Sequence, residues 1–285
     1  MLLGAHVSIA GSIDKAVDRA NQMGCTTFQV FTRNPRGWKF TPLNQEDVEA
    51  FIKKLEIYNF SVSVAHMPYL PNISSPFDEG YNMSVDTLKA ELLRCGQLNI
   101  KYLVTHLGSH LGRGLDIGMR RAADACSQAL SSVDNNVMLL LENTAGTKNS
   151  VGSDFEEIKF ILEHINQKDR VGVCFDTCHA FAAGYDLRNK GVLNETLKLF
   201  DEIINISKLN VVHINDSKGK LNSHLDRHEH IGLGFIGEEG FKAILTHQLI
   251  KDLPLILETP IDSRRDSSGN LKKVRELMKD NLNDS

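Results

Sequence analysis

Short apolar, β-branched segments alternate along the chain with segments in which apolar residues recur at helical spacing. Eight apolar segments end about 25–45 residues apart and have the length of strands: Leu2–Ser8, Thr27–Thr32, Ser61–His66, Tyr102–His106, Val137–Glu142, Val171–Asp176, Asn210–His213 and Leu253–Glu258. Because a strand, a helix and a second strand in succession form a βαβ unit, this alternation predicts a mainly parallel sheet covered by helices.

The segments between the predicted strands have the apolar spacing of amphipathic helices. The predicted helices are Ile13–Met23, Gln45–Tyr58, Ser84–Leu98, Asp116–Ser132, Asp154–Ile165, Glu195–Ser207 and one that contains Phe241–Leu249. Residues 137–141 and 254–257 are continuously apolar, which is typical of parallel strands buried on both faces. Eight such units without a linker predict an α/β protein with one (β/α)8 barrel domain over residues 1–285. A doubly wound open sheet is the alternative, since periodicity does not show whether a sheet closes.

Composition excludes several classes of protein. Hydrophobic residues make up 41% of the 285 residues and charged residues 24%, as in an ordinary globular protein. No apolar run reaches the ~18–20 residues of a membrane span, and the first residues lack the features of a secretory signal. The five cysteines are irregularly spaced, which indicates buried thiols in a reducing compartment rather than a disulfide framework. We therefore expect a cytoplasmic protein without a membrane segment, and no coiled-coil or repeat pattern argues against a monomer.

Six successive predicted strands end in a side chain that can bind a metal ion. These residues are His66, His106, Glu142, Asp176, His213 and Glu258. In a closed barrel the carboxyl ends of the strands meet on one face, where barrel enzymes carry their active sites. Three carboxylates brought together there would repel one another and be costly to desolvate without cations. The pattern therefore predicts a metal site at this face.

Two further segments add possible ligands to this set. His179 follows the strand-end Asp176 by three residues, and Asp226 and His228 alternate in a polar loop after the seventh strand. One zinc ion takes about four ligands, so nine candidates suit two or three ions with a bridging carboxylate. Mixed imidazole and carboxylate ligands favour Zn²⁺ or Mn²⁺ over Mg²⁺. His6, at the end of the first strand, is expected to hydrogen-bond to the ligands rather than to bind metal.

One motif points to a different chemistry. The segment Gly232–Gly237 reads Gly-Leu-Gly-Phe-Ile-Gly, and Glu258 follows about 20 residues later, as in a dinucleotide-binding fingerprint. However, no strand precedes the segment, and it lies late in the chain. We therefore expect a turn that leads into a helix. His230, just before this turn, is expected to be solvated.

Basic residues cluster in the segments that follow the predicted strands. They are Arg33, Arg36, Lys39, Arg113, Arg120, Arg121, Arg188, Lys190, Lys218, Lys220, Arg227, Arg264 and Arg265. A chain with 32 basic and 36 acidic residues, and thus a net charge of −4, could still present a positive rim to phosphates. Trp38 lies near Arg36, and Tyr69 and Leu70 follow His66. Such apolar tips either insert into a base stack or pack the rim of the barrel.

Long motifs in this chain resemble those of endonuclease IV, the family of zinc-dependent apurinic/apyrimidinic (AP) endonucleases of base-excision repair. The motifs are Leu141–Gly146, Val171–Asp186, His213–Lys218, Asp226–His228 with the following Ile231–Gly237, and Leu255–Thr259. The resemblance extends from Gly4 to beyond the last predicted strand.

The resemblance implies a centre of three zinc ions, with Mn²⁺ as a possible substitute. The first ion would be held by His66, His106 and Glu142; the second by Glu142, Asp176, His213 and Glu258; the third by His179, Asp226 and His228. It also implies that Arg36, Tyr69 and Leu70 penetrate the DNA.

The implied reaction is hydrolysis of the phosphodiester 5′ to an abasic site in double-stranded DNA, giving a 3′-hydroxyl and a 5′-deoxyribose phosphate. Either Glu142 or Glu258 would assist the nucleophile. A metal-dependent sugar isomerase or epimerase on the same barrel is one alternative. It would use Glu142, Asp176, His213 and Glu258 but leave the other five candidate ligands without a role. A protein that binds damaged DNA or metal without catalysis is the other alternative.

Overall fold

Eight parallel strands form a barrel in the computed structural model, which describes residues 1–39 and 41–283. The barrel strands are β1 (Leu2–Ala5), β2 (Gln29–Val30), β3 (Val64–His66), β4 (Tyr102–His106), β5 (Met138–Glu142), β6 (Val171–Asp176), β7 (Leu209–His213) and β10 (Pro254–Leu257). Two short strands after β7, β8 (Asp216–Ser217) and β9 (His228–Glu229), pair antiparallel and form a separate hairpin.

The sheet closes between its first and second strands. Its order is β1-β10-β7-β6-β5-β4-β3-β2, and a parallel bridge between His6 and Gln29 joins the two ends of this order. The predicted (β/α)8 barrel is therefore confirmed, and the open doubly wound sheet is excluded. No helix within the described residues is both long and apolar enough to cross a membrane.

Helices cover the outside of the barrel. They are α1 (Lys15–Gln22), α2 (Gln45–Ile57), α3 (Asp78–Gln97), α4 (Leu115–Ser132), α5 (Phe155–His164), α6 (Thr177–Ala183), α7 (Lys190–Ile203), α8 (Gly237–Thr246) and α9 (Ser267–Asn283). The first turns of α3 contain Gly80 and Asn82, whose low helix propensity explains why the sequence pattern predicts a later start. The pattern does not predict α9, although Leu271, Val274 and Leu277 give it a buried face.

The interior of the barrel is filled by a small apolar cluster that supports the strand ends. Its buried members come from the barrel strands and are Val64, Tyr102, Val104, Leu140, Cys174, Val211 and Ile256. Successive side chains of a strand point to opposite faces, so the residue two positions further points the same way. His106 follows Val104 in this way, and Glu142 follows Leu140. The strand-end polar residues therefore lie directly on this apolar floor.

Candidate metal centre

Glu142 lies at the centre of the polar cluster above the barrel interior and is completely buried. Its Oε2 is 3.0 Å from Nε2 of His66 and 3.0 Å from Nε2 of His106. Its other oxygen, Oε1, is 3.0 Å from Nδ1 of His213. One carboxylate thus faces two separate sets of imidazoles, the geometry that a bridging ligand requires.

The nine candidate ligands predicted from the sequence lie in three adjoining groups. Within each group, one ligand atom from every residue lies within 4.8 Å of the others: His66, His106 and Glu142; Glu142, Asp176, His213 and Glu258; His179, Asp226 and His228. Cys178 also lies within this distance of Asp176 and His228, which are already members of these groups. These groups coincide with the three sets implied by the sequence resemblance. His6 belongs to none of them, and its Nδ1 lies 3.0 Å from the Gln29 amide, as expected for a supporting residue.

Backbone carbonyls orient three of the imidazoles. A carbonyl oxygen only accepts, so an Nδ1 that faces one carries the proton, and Nε2 is left to face the centre. The three pairs are His66 with the carbonyl of Met67 at 2.7 Å, His179 with that of Asn143 at 2.9 Å, and His228 with that of Glu258 at 3.1 Å. The protein therefore fixes which ring nitrogen each of these imidazoles presents to the centre.

Two buried asparagines, which sequence reasoning missed, hold Asp176 in place. The amide of Asn215 donates to Oδ2 of Asp176 at 2.7 Å, and Oδ1 of Asn143 accepts from the Asp176 backbone at 2.7 Å. The other Asp176 oxygen accepts from the backbone N–H of His179 at 2.8 Å and so caps α6. The available signal was position, since each asparagine follows a strand-end ligand by one or two residues.

Neighbouring imidazoles lower the pKa of two carboxylates of the site, Glu142 and Asp226. Burial alone would raise the pKa of Glu142, but the imidazoles of His106 and His213 outweigh it and hold that pKa well below its usual value. The hydrogen bond from His179 lowers the pKa of Asp226 to about 2. Burial opposes the charge of His179, yet Asp176 and Asp226 raise its pKa to about 10. The donor set therefore attracts positive charge.

The same donor set fits zinc. It offers imidazole nitrogens and carboxylate oxygens, the ligands that zinc takes in proteins. Nε2 of His228 is also a buried polar atom without a hydrogen-bond partner among the described residues. It lies 3.7 Å from Oδ2 of Asp176, beyond hydrogen-bond distance. A cation near this nitrogen would satisfy its lone pair.

A cavity of about 480 Å³ opens above the ligand groups. Its walls include His106, Asp226 and Glu258, whereas Glu142 lies beneath its floor. Tyr69 forms part of the rim and is 69% exposed, and the neighbouring Leu70 is 43% exposed. Both residues belong to the loop after β3 and present apolar surface to solvent, so they are available to a ligand that covers the cavity.

Arg36 is exposed on a loop after β2 whose base is fixed by a buried ion pair. Nε of Arg33 lies 2.8 Å from Oε1 of Glu91, and the hydroxyl of Thr32 donates to the other Glu91 oxygen at 2.6 Å. Arg94 of α3 holds the same loop through the backbone carbonyl of Thr32. The loop is therefore anchored at Arg33, while Arg36 remains free to contact a ligand.

The predicted positive rim is partly neutralised, and this corrects the interpretation from sequence. Five of its arginines form ion pairs: Arg33 with Glu91, Arg120 with Asp116, Arg121 with Asp78, Arg188 with Asp186, and Arg264 with Glu229 and Asp262. Arg36, Lys218, Lys220 and Arg227 are exposed and form no ion pair with the described residues. Three of the partners, Glu91, Asp78 and Glu229, lie 35 or more residues away from their arginines in the chain, so the sequence does not reveal these pairs.

The glycine-rich segment does not point its N–H groups at a cofactor site. The backbone N–H groups of Gly232 and Gly234 each donate to Oδ2 of Asp216 at 2.9 Å, and that of Ile236 donates to Oδ1 at 3.0 Å. The buried carboxylate of Asp216 thus occupies the place that a phosphate takes in a nucleotide-binding loop. The predicted turn into a helix is confirmed, since α8 begins at Gly237.

The prediction that His230 is solvated is wrong. Its side chain is fully buried, with Nε2 3.0 Å from Oδ1 of Asp262 and Nδ1 2.9 Å from the amide of Asn270. Asn270 belongs to α9, which the sequence pattern did not predict, so the partner that buries His230 was missing from the sequence interpretation.

Comparisons with known proteins agree with this fold. A family model described as the xylose isomerase-like TIM barrel matches residues 17–281. The protein "Probable endonuclease 4" of Methanoculleus marisnigri is 54% identical over 278 residues, which cover 97% of this chain and 99% of that protein. The crystal structure of endonuclease IV from Thermus thermophilus is 34% identical, with a TM-score of 0.87, over 98% of this chain and 100% of that one.

The same barrel also occurs in proteins of other names. The crystal structure of a D-tagatose 3-epimerase-like protein has a TM-score of 0.71 and 19% identity, over 99% of this chain and 97% of that one. At this level of identity the likeness concerns the fold alone. The two endonuclease matches share sequence as well as fold over nearly the whole length of both chains.

Proposed function

The chain belongs to the endonuclease IV family of xylose isomerase-like TIM barrels, and we propose that it is a zinc-dependent AP endonuclease of DNA repair. The observation that carries the proposal is the set of three adjoining ligand groups on one face of the barrel. A single ion would use one of these groups and leave the carboxylates of the others without a cation.

We assign one zinc ion to each group. His66, His106 and Glu142 would hold the first, Glu142, Asp176, His213 and Glu258 the second, and His179, Asp226 and His228 the third. Zinc in such a site supplies positive charge that lowers the pKa of water and stabilises negative charge on phosphate and leaving oxygens.

Glu258 and Glu142 have different tasks in the proposed mechanism. The Glu258 side chain is 19% exposed and lines the cavity, so it can orient the water that attacks phosphorus. Glu142 is fully buried and contacts imidazoles of the first and second groups, so it fixes the position of these two groups relative to each other. Water attacks the phosphorus 5′ to the abasic sugar, the P–O3′ bond breaks, and the proton lost by the water passes to the leaving 3′ oxygen, which gives a 3′-hydroxyl and a 5′-deoxyribose phosphate.

The rim supplies the contacts that select an abasic site. Tyr69 and Leu70 present apolar surface beside the cavity, and Arg36 presents a cation without an ion-pair partner among the described residues. Apolar wedges beside arginine open a base stack, and unstacking costs least where the base is missing. The cavity of about 480 Å³ then takes the extruded sugar and its phosphate.

A sugar epimerase accounts for less of the site. One divalent ion held by Glu142, Asp176, His213 and Glu258 would satisfy that chemistry. It would leave the third group, with the unpartnered Nε2 of His228, without a function. The endonuclease is therefore the function that these residues support best.

Incision of a defined substrate tests the proposal. Zinc-loaded protein is incubated with a 5′-labelled duplex that contains one tetrahydrofuran site, and with the same duplex without it. We expect one cut, only in the damaged duplex, and a fragment that a DNA polymerase can extend from its 3′-hydroxyl. His66→Ala abolishes the cut, whereas His164→Ala, which changes an exposed histidine of α5, retains it. A damaged duplex left intact by the zinc-loaded wild type would overturn the proposal.

A further inference from the structure

The side-chain amide of Gln29 on β2 contacts two candidate metal ligands and the supporting His6 from a fully buried position. Its Nε2 donates to Oε1 of Glu258 at 2.6 Å and lies 3.0 Å from Nδ1 of His6. Its Oε1 lies 2.8 Å from Nε2 of His213. Every polar atom of this amide therefore has a partner, and two of these partners are candidate ligands of the second group.

The carboxylate fixes which way the amide points. A carboxylate oxygen accepts but does not donate, so the NH₂ of Gln29 must face Glu258 and the amide oxygen must face His213. Because an amide oxygen only accepts, Nε2 of His213 must carry a proton. Nδ1 of His213 is then free to face Oε1 of Glu142 at 3.0 Å and Oε2 of Glu258 at 3.3 Å.

His213 presents a different ring nitrogen to the centre from the other oriented imidazoles of the site. His66, His179 and His228 place Nδ1 against a backbone carbonyl and present Nε2 to the centre. His213 is reversed and presents Nδ1. Backbone carbonyls orient those three imidazoles, whereas the outer nitrogen of His213 faces the side chain of Gln29.

Gln29 also lies where the barrel closes. The parallel bridge between His6 and Gln29 joins the ends of β1 and β2, and it places the amide within reach of β7 and β10, which lead to His213 and Glu258. The closure of the barrel thus brings one amide against two ligands from different strands.

We propose that Gln29 is a positioning residue for the second zinc ion. It holds His213 in the tautomer that presents Nδ1 to this ion, and its hydrogen bond to Oε1 of Glu258 directs Oε2 of Glu258 to the same ion. This inference rests on the proposed function, because it assigns Gln29 to the second ligand group of that site. Gln29 touches neither DNA nor metal in this role.

Zinc affinity is the direct readout. Gln29→Met keeps the length of the side chain but removes all three polar contacts of the amide, with Glu258, His6 and His213. Loss of such a supporting contact typically weakens metal binding about 10–100-fold. We expect a loss of this size for one of the three ions in competition with a chromophoric chelator, with the zinc content measured by elemental analysis. Gln29→Glu keeps an acceptor for His213 but sets a carboxylate oxygen against that of Glu258, which repels it, so we expect its zinc affinity to be lower than that of wild type.

A matched variant on the same strand segment separates positioning from stability. Thr27 is also fully buried, and its hydroxyl donates to the carbonyl of Val62 at 2.9 Å. Thr27→Val removes this bond without changing the shape of the side chain, and we expect it to lower the stability of the fold while all three zinc ions bind with wild-type affinity. In incision assays with saturating zinc, Gln29→Glu lowers kcat and leaves KM for the damaged duplex unchanged.

The outcomes distinguish this inference from the proposed function. Zinc affinity of Gln29→Met or Gln29→Glu equal to that of wild type would overturn the role of Gln29 and leave the endonuclease proposal intact. If Gln29→Met does not fold, Gln29→Glu alone decides by the same comparison. Wild-type protein that binds three zinc ions but cuts no abasic duplex would overturn the proposed reaction and leave the Gln29 measurement valid.

Discussion

Nε2 of His106 lies 3.0 Å from Oε2 of Glu142, although the His106 side chain is 43% exposed and that of Glu142 is completely buried. The first ligand group thus extends from the mouth of the cavity to its floor. The two residues should therefore differ in how many ions depend on them, because Glu142 belongs to both the first and the second group, whereas His106 belongs only to the first.

Replacement of Glu142 should disturb two zinc ions at once. Glu142→Gln keeps the shape but removes the charge shared by the first and second groups, so we expect zinc content to fall from three to about one per chain and incision to fall at least about 100-fold. His106→Ala should lose one ion only. Glu157→Gln is the control, since this buried carboxylate accepts from the backbone of Gly152 and Ser153 at the start of α5, away from the site. Equal zinc content in the Glu142 and His106 variants would contradict the bridging role.

The strand-end ligands could be predicted because two simple periodicities determine them. Alternation along a strand places His106 above Val104 and Glu142 above Leu140, and parallel strands bring those ends to one face. The sequence carries both signals within a few residues, so neither depends on distant partners.

Features that depend on distant partners could not be predicted in this way. Gln29 lies in an apolar segment, and its contacts with His213 and Glu258 exist only because the barrel closes. The sequence identifies Arg264 as a cation of the rim, but in the structure Arg264 forms an ion pair with Glu229 of the β8–β9 hairpin, which neutralises its charge. Such pairings depend on how separate elements pack, which a local pattern does not encode.

The exposed leucine of the β3 loop should contribute to substrate binding and not to folding. Leu70→Ala should raise KM for the damaged duplex about tenfold, in line with the ~1.5–3 kcal/mol gained by fully burying a leucine side chain, and should leave the unfolding midpoint unchanged. Leu199→Ala on α7 is the matched control, because Leu199 is 40% exposed and Leu70 is 43% exposed. Steady-state kinetics and thermal unfolding of both variants test this prediction. An equal rise in KM for the two would argue against a role of Leu70 in binding.

Rim arginines should differ according to whether they already have a carboxylate partner. Arg36 has none among the described residues, so Arg36→Ala should weaken DNA binding and lower the slope of log Kd against log salt by about one. Arg188 forms a close ion pair with Asp186, so Arg188→Ala should leave that slope unchanged. Binding is measured with a damaged duplex that carries a phosphorothioate in place of the phosphodiester 5′ to the tetrahydrofuran site, which should be cut slowly by both variants. If the slope of log Kd against log salt changes equally in the two variants, the proposed difference between paired and unpaired rim arginines is wrong.

Gly234 should tolerate no side chain because it packs against the carboxylate that it donates to. A Cβ at this position would lie 2.4 Å from Oδ1 of Asp216 and 2.4 Å from the backbone oxygen of Ser217. Gly234→Ala should therefore destabilise the protein by about 1–3 kcal/mol in denaturant unfolding. Gly80→Ala in α3 should be neutral or stabilising by about 0.5–1 kcal/mol, since its Cβ would meet only Oγ of Ser75 at 3.7 Å. A neutral Gly234→Ala would mean that the loop around Asp216 can move.

The buried thiols should be unreactive in the folded protein. Burial raises the pKa of Cys126 to about 12 and that of Cys95 well above its usual value, so at pH 8 only about one Cys126 thiol in 10⁴ is a thiolate. Because the pKa is raised in the folded state, the free energy of unfolding contributed by this burial is complete below pH 9 and is lost as pH rises towards 12. At pH 8, we expect a thiol reagent to modify neither cysteine in the native protein and all five after unfolding in guanidinium. Peptide mapping by mass spectrometry identifies the modified residues, and rapid modification of Cys126 without denaturant would show that its surroundings open in the folded state.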